Sequence, residues 1–120
     1  MDDFPAVRRL LNVEGAAVFL VALASYVSLG GPWWLLVVLA LAPDLSMVGY
    51  LVGERVGAAA YNAVHTYVGP LVLGAVGVWG DHRLALLVAL VWAGHVGADR
   101  AVGYGLKYAT GFGDTHLDRV

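Results

Sequence analysis

The chain has no cysteine, no isoleucine, no glutamine and a single lysine among its 120 residues. Without cysteine there are no disulfides, thiolate metal ligands or cysteine nucleophiles. Charge is also scarce, at 13% of residues, where soluble domains carry about 25%. So few charges cannot cover a water-facing surface without leaving large apolar patches. The net charge of −2 offers no basic patch to nucleic acid. The bias toward Ala, Val, Gly and Leu fits a GC-rich genome and carries no functional information.

Apolar residues dominate, at 60%, with a mean hydropathy of +0.75. Four apolar runs stand out, over 10–29, 33–52, 56–79 and 84–102. Gly30-Gly31-Pro32, Gly53-Glu54-Arg55 and Gly80-Asp81-His82-Arg83 are the turns between them. Each run approaches the ~20 residues that a helix needs to cross a bilayer. Backbone groups in hydrocarbon must pair within their own segment, which favours helices. The first run carries Glu14 early and has no clear small-residue cleavage site, so it reads as a retained helix rather than a signal peptide. The expected fold is all-α: one integral membrane bundle of four transmembrane helices with short loops, followed by a polar, Gly-rich tail over 103–120. Pro43 and Pro70 predict kinks or local unwinding, with freed carbonyls in need of partners.

Orientation follows from positive charge near the helix ends. Arg8, Arg9, Arg55, Arg100, Lys107 and Arg119 fall on one side and Arg83 on the other. This places both termini in the cytoplasm and the chain, multi-pass, in the cytoplasmic membrane. Trp33, Trp34 and Trp79 mark the outer interface, and Tyr50, Tyr104 and Tyr108 the inner one. Membrane lipids are the expected surroundings. Ala89, Ala93, Gly97 and Ala101 form a small-residue stripe on the last helix, suited to packing within the bundle or to a homo-oligomer. Arg100 and Lys107 are expected to snorkel to lipid phosphates. The N–H of Trp92 needs a partner.

Ionisable groups inside membrane spans are costly and become the first functional candidates. Here they are Glu14, Asp44, His65, His95 and Asp99, which helix rise places at similar depth. His95 and Asp99 are four apart and share a helix face, as do Tyr61 and His65. His65, His95, Asp99 and Asp44, with His116 capping from the tail, could form a nitrogen and oxygen ligand set suited to zinc. Asp44 or Asp99 would then act as a catalytic base toward a water activated by the ion. The alternative is a structural network in which Asp99 orients His95 and Asp44 bonds His65 or Tyr61, with Asn62 as a packing hydrogen bond. Asp44 could instead cap a helix restart after Pro43. Three functions follow: a metal-dependent hydrolase acting on a lipid-like substrate, a non-enzymatic binding module, or an oligomeric proton or ion pathway. Gly103-Tyr104-Gly105 and Gly111-Phe112-Gly113 lack the context of phosphate loops and read as breaks that fold the tail onto the inner face, with Phe112 as an anchor.

Three segments carry a resemblance. They are Ala42-Pro43-Asp44-Leu45-Ser46-Met47-Val48-Gly49-Tyr50, then Ala60-Tyr61-Asn62-Ala63-Val64-His65-Thr66-Tyr67, and finally the stretch from His95 to Lys107 followed by Asp114-Thr115-His116-Leu117. Together they resemble a prokaryotic membrane family known as domain of unknown function 4260, over nearly the whole chain. The resemblance implies a small multi-helix membrane protein and no particular activity. A looser similarity is to intramembrane zinc hydrolases such as alkaline ceramidases and adiponectin receptors, which have seven helices and a histidine pair four apart where this chain has His95 and Asp99.

Overall fold

The computed structural model describes residues 4–108, 113 and 115–119. In chain order these form α1 (Phe4–Ser28), α2 (Trp33–Leu41), a 3-10 segment (Ala42–Leu51), α3 (Glu54–Val64), α4 (Val68–Trp79), α5 (Arg83–Val102) and a C-terminal 3-10 turn (His116–Arg119). The fold is all-helical; among the described residues the one extended feature is an isolated bridge between Lys107 and Thr115. The first helix begins six residues before the expected span, because Pro5 lies in its first turn, where no backbone N–H is required.

Three helical stretches are long and apolar enough to cross a membrane: Pro5–Ser28, Trp33–Leu51 and Arg83–Val102. The second changes character at Pro43. A proline cannot donate into the helical ladder, and from Ala42 the chain tightens into ten residues of 3-10 helix. Such runs rarely exceed 3–4 residues and often mark functional positions. The expected third span, 56–79, is two helices rather than one. Thr66 would bond forward to residue 70, a proline, so the ladder breaks over His65–Tyr67, and the Thr66 hydroxyl instead accepts the Val68 N–H at 3.0 Å.

Helix α5 is the axis of the bundle. In its most apolar window 44% of residues are buried within the chain, against 17% for α1 and none for Trp33–Leu51. Helices α1 and α4 pack against α5, α3 packs against the 3-10 segment, and α2 touches α5. Tyr26, Leu87 and Val91 form the compact apolar core, with Leu36, Leu39, Ala40 and Leu90 around them. The Tyr26 hydroxyl donates to the Pro32 carbonyl at 2.6 Å, closing the first turn. Two members of the stripe on α5 pack inside the chain. Gly97 lies against the α1 backbone at Gly15 and Phe19, and Ala89 faces Gly74 of α4. The outward faces remain apolar: Leu51 is 87% and Trp79 86% exposed.

Helix α5 ends in a Schellman turn. Gly103 takes φ +101°, and the Tyr104 N–H donates back to the Asp99 carbonyl at 2.7 Å. This reversal aims the tail back under the bundle. The Asn62 amide clasps the Lys107 backbone from both sides: Nδ2 donates to its carbonyl and Oδ1 accepts its N–H, each at 2.7 Å. Leu117 is fully buried, and Arg8 of α1 donates to its carbonyl at 2.8 Å. The tail therefore folds back as the glycine breaks suggest; its proposed anchor, Phe112, lies outside the described residues.

Candidate metal centre

Each broken helix delivers one polar side chain to the same point. His65 is the residue that ends α3, Asp44 opens the 3-10 segment, and His95 and Asp99 sit one turn apart on α5. The His65 Nε2 lies 3.2 Å from Asp44 Oδ1 and 3.5 Å from Asp99 Oδ2. The His95 Nε2 lies 3.1 Å from the same Asp44 oxygen and 3.3 Å from the same Asp99 oxygen. The two Nε2 atoms are 3.2 Å apart. All four ligand atoms fall within 4.8 Å of one another.

The tautomers are dictated by the backbone. The His65 Nδ1 is 2.9 Å from the Tyr61 carbonyl, and the His95 Nδ1 meets the Ala40 carbonyl. A carbonyl only accepts, so both Nδ1 atoms carry protons and donate. In the neutral ring each Nε2 then presents a lone pair, and two lone pairs converge on two carboxylate oxygens. Four acceptors this close repel unless a cation lies between them. A tetrahedron of N and O ligands about 2.05 Å from zinc has edges of about 3.3 Å; the five edges that include a histidine run from 3.1 to 3.5 Å, and the carboxylate–carboxylate edge is within 4.8 Å. The residues present therefore suit a divalent ion such as zinc, with carbonyls holding the far side of each imidazole as outer-shell partners do in metal sites.

Proline creates one of those partners. In the 3-10 register the Ala40 carbonyl looks to residue 43, and Pro43 has no N–H, so the carbonyl turns to His95. A Pro43→Ala variant is expected to supply the missing donor and loosen His95. Its metal affinity should drop about tenfold, the lower end for loss of an outer-shell partner, as read by competition with a chromophoric chelator. The break at His65 is satisfied in the same way. The Val64 carbonyl accepts the Trp92 Nε1–H at 2.6 Å, the partner that indole requires, and the His65 carbonyl accepts Arg100 Nη2 at 2.8 Å.

Two cations depart from expectation. Arg100 and Lys107 do not snorkel; both are buried, at 7% and 6% exposure. Arg100 spans the carbonyls of His65 and Tyr104, locked by the same chain reversals that build the site. The Lys107 ammonium sits over the Tyr61 ring, 4.5 Å from its centroid. Tyr61 in turn stacks on His65, with ring centroids 3.7 Å apart and planes within 5°. His116 is not one of the four clustered ligands. Its Nδ1 accepts the Leu106 N–H at 2.7 Å, so it staples the tail rather than capping the cluster. Asp44 does not cap a helix, since its carboxylate faces the histidines and Ser46 donates to the Pro43 carbonyl. Glu14 is exposed on α1, outside the cluster.

A cavity opens beside Asp44 and Asp99. Asp44, Met47, Tyr61, Asp99, Tyr104 and Lys107 line a cavity of about 230 Å³. The Asp44 side chain is 43% exposed against 18% for Asp99 and 9% for His95, so Asp44 forms the accessible edge of the ligand set. Sequence spacing reveals neither Met47 nor Tyr104 as a lining residue: Met47 sits in the 3-10 segment, one 3-10 turn from Asp44 and off the α-helical spacing, and a tail reversed at a single glycine has no periodic pattern. Asn12 of α1 also escapes it: its amide donates to the Arg100 carbonyl at 2.6 Å and satisfies the end of α5.

No curated protein and no solved structure matches this chain. The sequence model of the family described as domain of unknown function 4260 matches residues 8–120, and the chain belongs to that family.

Proposed function

We propose that this chain is a four-span membrane protein holding a divalent metal ion, most consistent with zinc, and acting as a hydrolase on a membrane-embedded substrate. The observation that carries the reading is the convergence of two lone-pair-bearing Nε2 atoms and two carboxylate oxygens at tetrahedral edge lengths. In this topology α3 and α4 together make the third crossing, broken at the metal ligand. The exposed Arg8, Arg9 and Arg55 support cytoplasmic termini, with Arg83 on the opposite side. A groove of about 670 Å³ with almost wholly apolar walls runs past Pro70, Gly74 and Ala93 to Tyr67, two residues from His65. Its apolar walls suit a lipid-like chain.

Catalytic zinc sites keep three protein ligands and one open position. Here His65, His95 and Asp99 are the enclosed three, and Asp44 is the accessible fourth. A divalent ion in this position supplies Lewis acidity and makes a water more acidic. With such an ion held by His65, His95 and Asp99, Asp44 at the mouth of the cavity would be placed to accept a proton from a water and to return it to the leaving group. The carbonyls hold the Nδ1 protons of His65 and His95, which leaves each Nε2 facing the ligand position.

A pair of variants separates an open catalytic site from a closed structural one. Asp44→Asn should retain metal and lose turnover about 100-fold or more, the scale of general-base catalysis, on a panel of lipid esters and amides in nanodiscs. Asp99→Asn should lose the metal itself. Equal metal loss in both variants would mean four obligatory ligands and would rule out the hydrolase. A single proton shared between the two Nε2 atoms is the competing occupant, and it corresponds to the structural network; elemental analysis of the purified protein distinguishes the two.

A further inference from the structure

We infer that the Tyr61 hydroxyl is the hydrogen-bond donor to the carbonyl oxygen of an acyl substrate, an ester or amide, held in the cavity beside the His/Asp cluster. This rests on the hydrolase reading and gives it a substrate class and a further catalytic residue. The ring of Tyr61 is fixed in place. It stands one helical turn before His65 and stacks on it, with centroids 3.7 Å apart and planes within 5°. The Lys107 side chain lies over the ring, 4.5 Å from its centroid. With one face already against His65, Lys107 takes the other. A ring covered on both faces meets open space only by its edge. Tyr61 as a whole is 2% exposed, and it lines the cavity together with Asp44 and Asp99.

Among the described residues nothing bonds the Tyr61 hydroxyl. The contacts of Tyr61 run through its ring faces and through its backbone carbonyl, which accepts from His65. Nor is the unbonded oxygen sealed in the interior. The small exposed fraction of Tyr61 therefore includes the hydroxyl, and the space it meets is the cavity. An enclosed phenol O–H finds a partner, so the occupant of the cavity has to supply an acceptor. A carbonyl oxygen only accepts, as do the ionised carboxylates of Asp44 and Asp99, so it cannot pair with them. Tyr61 is the complementary donor, from a side chain that gives up no other bond. In acyl transfer the growing charge settles on one oxygen, which one preorganised donor can serve; in phosphoryl transfer it spreads over three. In the reaction, the oxygen of water forms a bond to the acyl carbon while Asp44 takes one of its protons. The carbonyl π pair moves to the oxygen that Tyr61 holds. That pair then re-forms the double bond, the bond from carbon to the leaving group breaks, and the proton on Asp44 passes to the leaving group.

The test uses the full chain in phosphatidylcholine nanodiscs, loaded with zinc and checked for zinc content by elemental analysis. The probe is octyl trifluoromethyl ketone, whose hydrate mimics the tetrahedral carbon and charged oxygen of acyl transfer. Binding is read by fluorine NMR, with the trifluoroalkane of equal length as an oxygen-free comparison for lipid partitioning. The unmodified protein should bind the ketone, and not the alkane, beyond what empty nanodiscs take up. Tyr61→Phe keeps the ring, its stack on His65 and its contact with Lys107, and removes only the hydroxyl. It should weaken ketone binding about tenfold or more, the scale of a hydrogen bond to a charged oxygen, with zinc content and melting temperature unchanged. Equal ketone affinity in zinc-loaded Tyr61→Phe and unmodified protein overturns the inference and leaves the hydrolase reading standing. Zinc loss or a lowered melting temperature in Tyr61→Phe also overturns it, because the hydroxyl would then serve the fold. A zinc-loaded unmodified protein that takes up no ketone overturns both the inference and the hydrolase reading. Absence of zinc from the unmodified protein removes the metal centre and the inference with it.

Discussion

Protein purified in detergent without chelator is expected to carry one divalent ion per chain, and replacement of either His65 or His95 by alanine is expected to abolish it. The reason is geometric. Each imidazole already has its Nδ1 proton committed to a carbonyl, so the cost of orienting the ring has been met by the fold. Removing one ring leaves three ligands and a gap in the wall at the bottom of the bundle, where no other described residue stands ready to replace it. The affinity loss should exceed the 10–100-fold that follows loss of an outer-shell partner. The same ion should stabilise the fold. The four ligands come from the 3-10 segment, the end of α3 and α5; the first two pack on each other but have little backbone contact with α5. Metal that binds the folded chain and not the unfolded one raises stability by mass action. Chelation should therefore lower the melting temperature of the unmodified protein and leave that of His95→Ala unchanged. Stoichiometric metal in His95→Ala, or a melting temperature indifferent to chelator in the unmodified protein, would contradict the proposed centre.

Two glycine-to-alanine substitutions are expected to have opposite signs. At Gly97 a β-carbon would meet the Gly15 carbonyl oxygen at 2.7 Å and the Phe19 nitrogen at 2.9 Å, both backbone atoms of α1. Neither can move without moving the helix, so α1 and α5 must separate. Overpacking of this kind costs about 1–3 kcal/mol. The penalty should be felt fully in a membrane, where helix association depends on close backbone contact rather than on hydrophobic burial. Separation would also disturb the Asn12 contact to Arg100, and with it the chain of bonds that holds His65. At Gly74 of α4 a β-carbon would meet only the Ala89 methyl, at 3.6 Å, an ordinary contact. There the gain in helix propensity should dominate, stabilising by about 0.5–1 kcal/mol. Unfolding in mixed micelles, titrated with a denaturing detergent, reads both; a Gly97→Ala midpoint equal to that of the unmodified protein would remove the close α1–α5 crossing from the account.

The amino-acid sequence by itself determined the all-helical class and the identity of the clustered polar groups. The physical reason is local. Long apolar stretches punctuated by Gly-Gly-Pro and Gly-Asp turns permit little else, and a four-residue spacing places His95 and Asp99 on one face regardless of what surrounds them. The backbone breaks were legible for the same reason, since Pro43 and Pro70 remove donors wherever they stand. Only the tertiary structure decided where the freed carbonyls went. Ala40 turns to His95, Val64 to Trp92 and His65 to Arg100, pairings separated by 55, 28 and 35 residues. It also decided the fate of Arg100 and Lys107. Their positions near the last helix end suggest snorkelling, yet one left-handed glycine at 103 reverses the chain and carries Lys107 under Tyr61. His116 was drawn away from the cluster by the same reversal, to the Leu106 amide. Spacing along a helix encodes which side chains share a face; it does not encode which faces of different helices meet, and the His/Asp cluster lies where three such faces do.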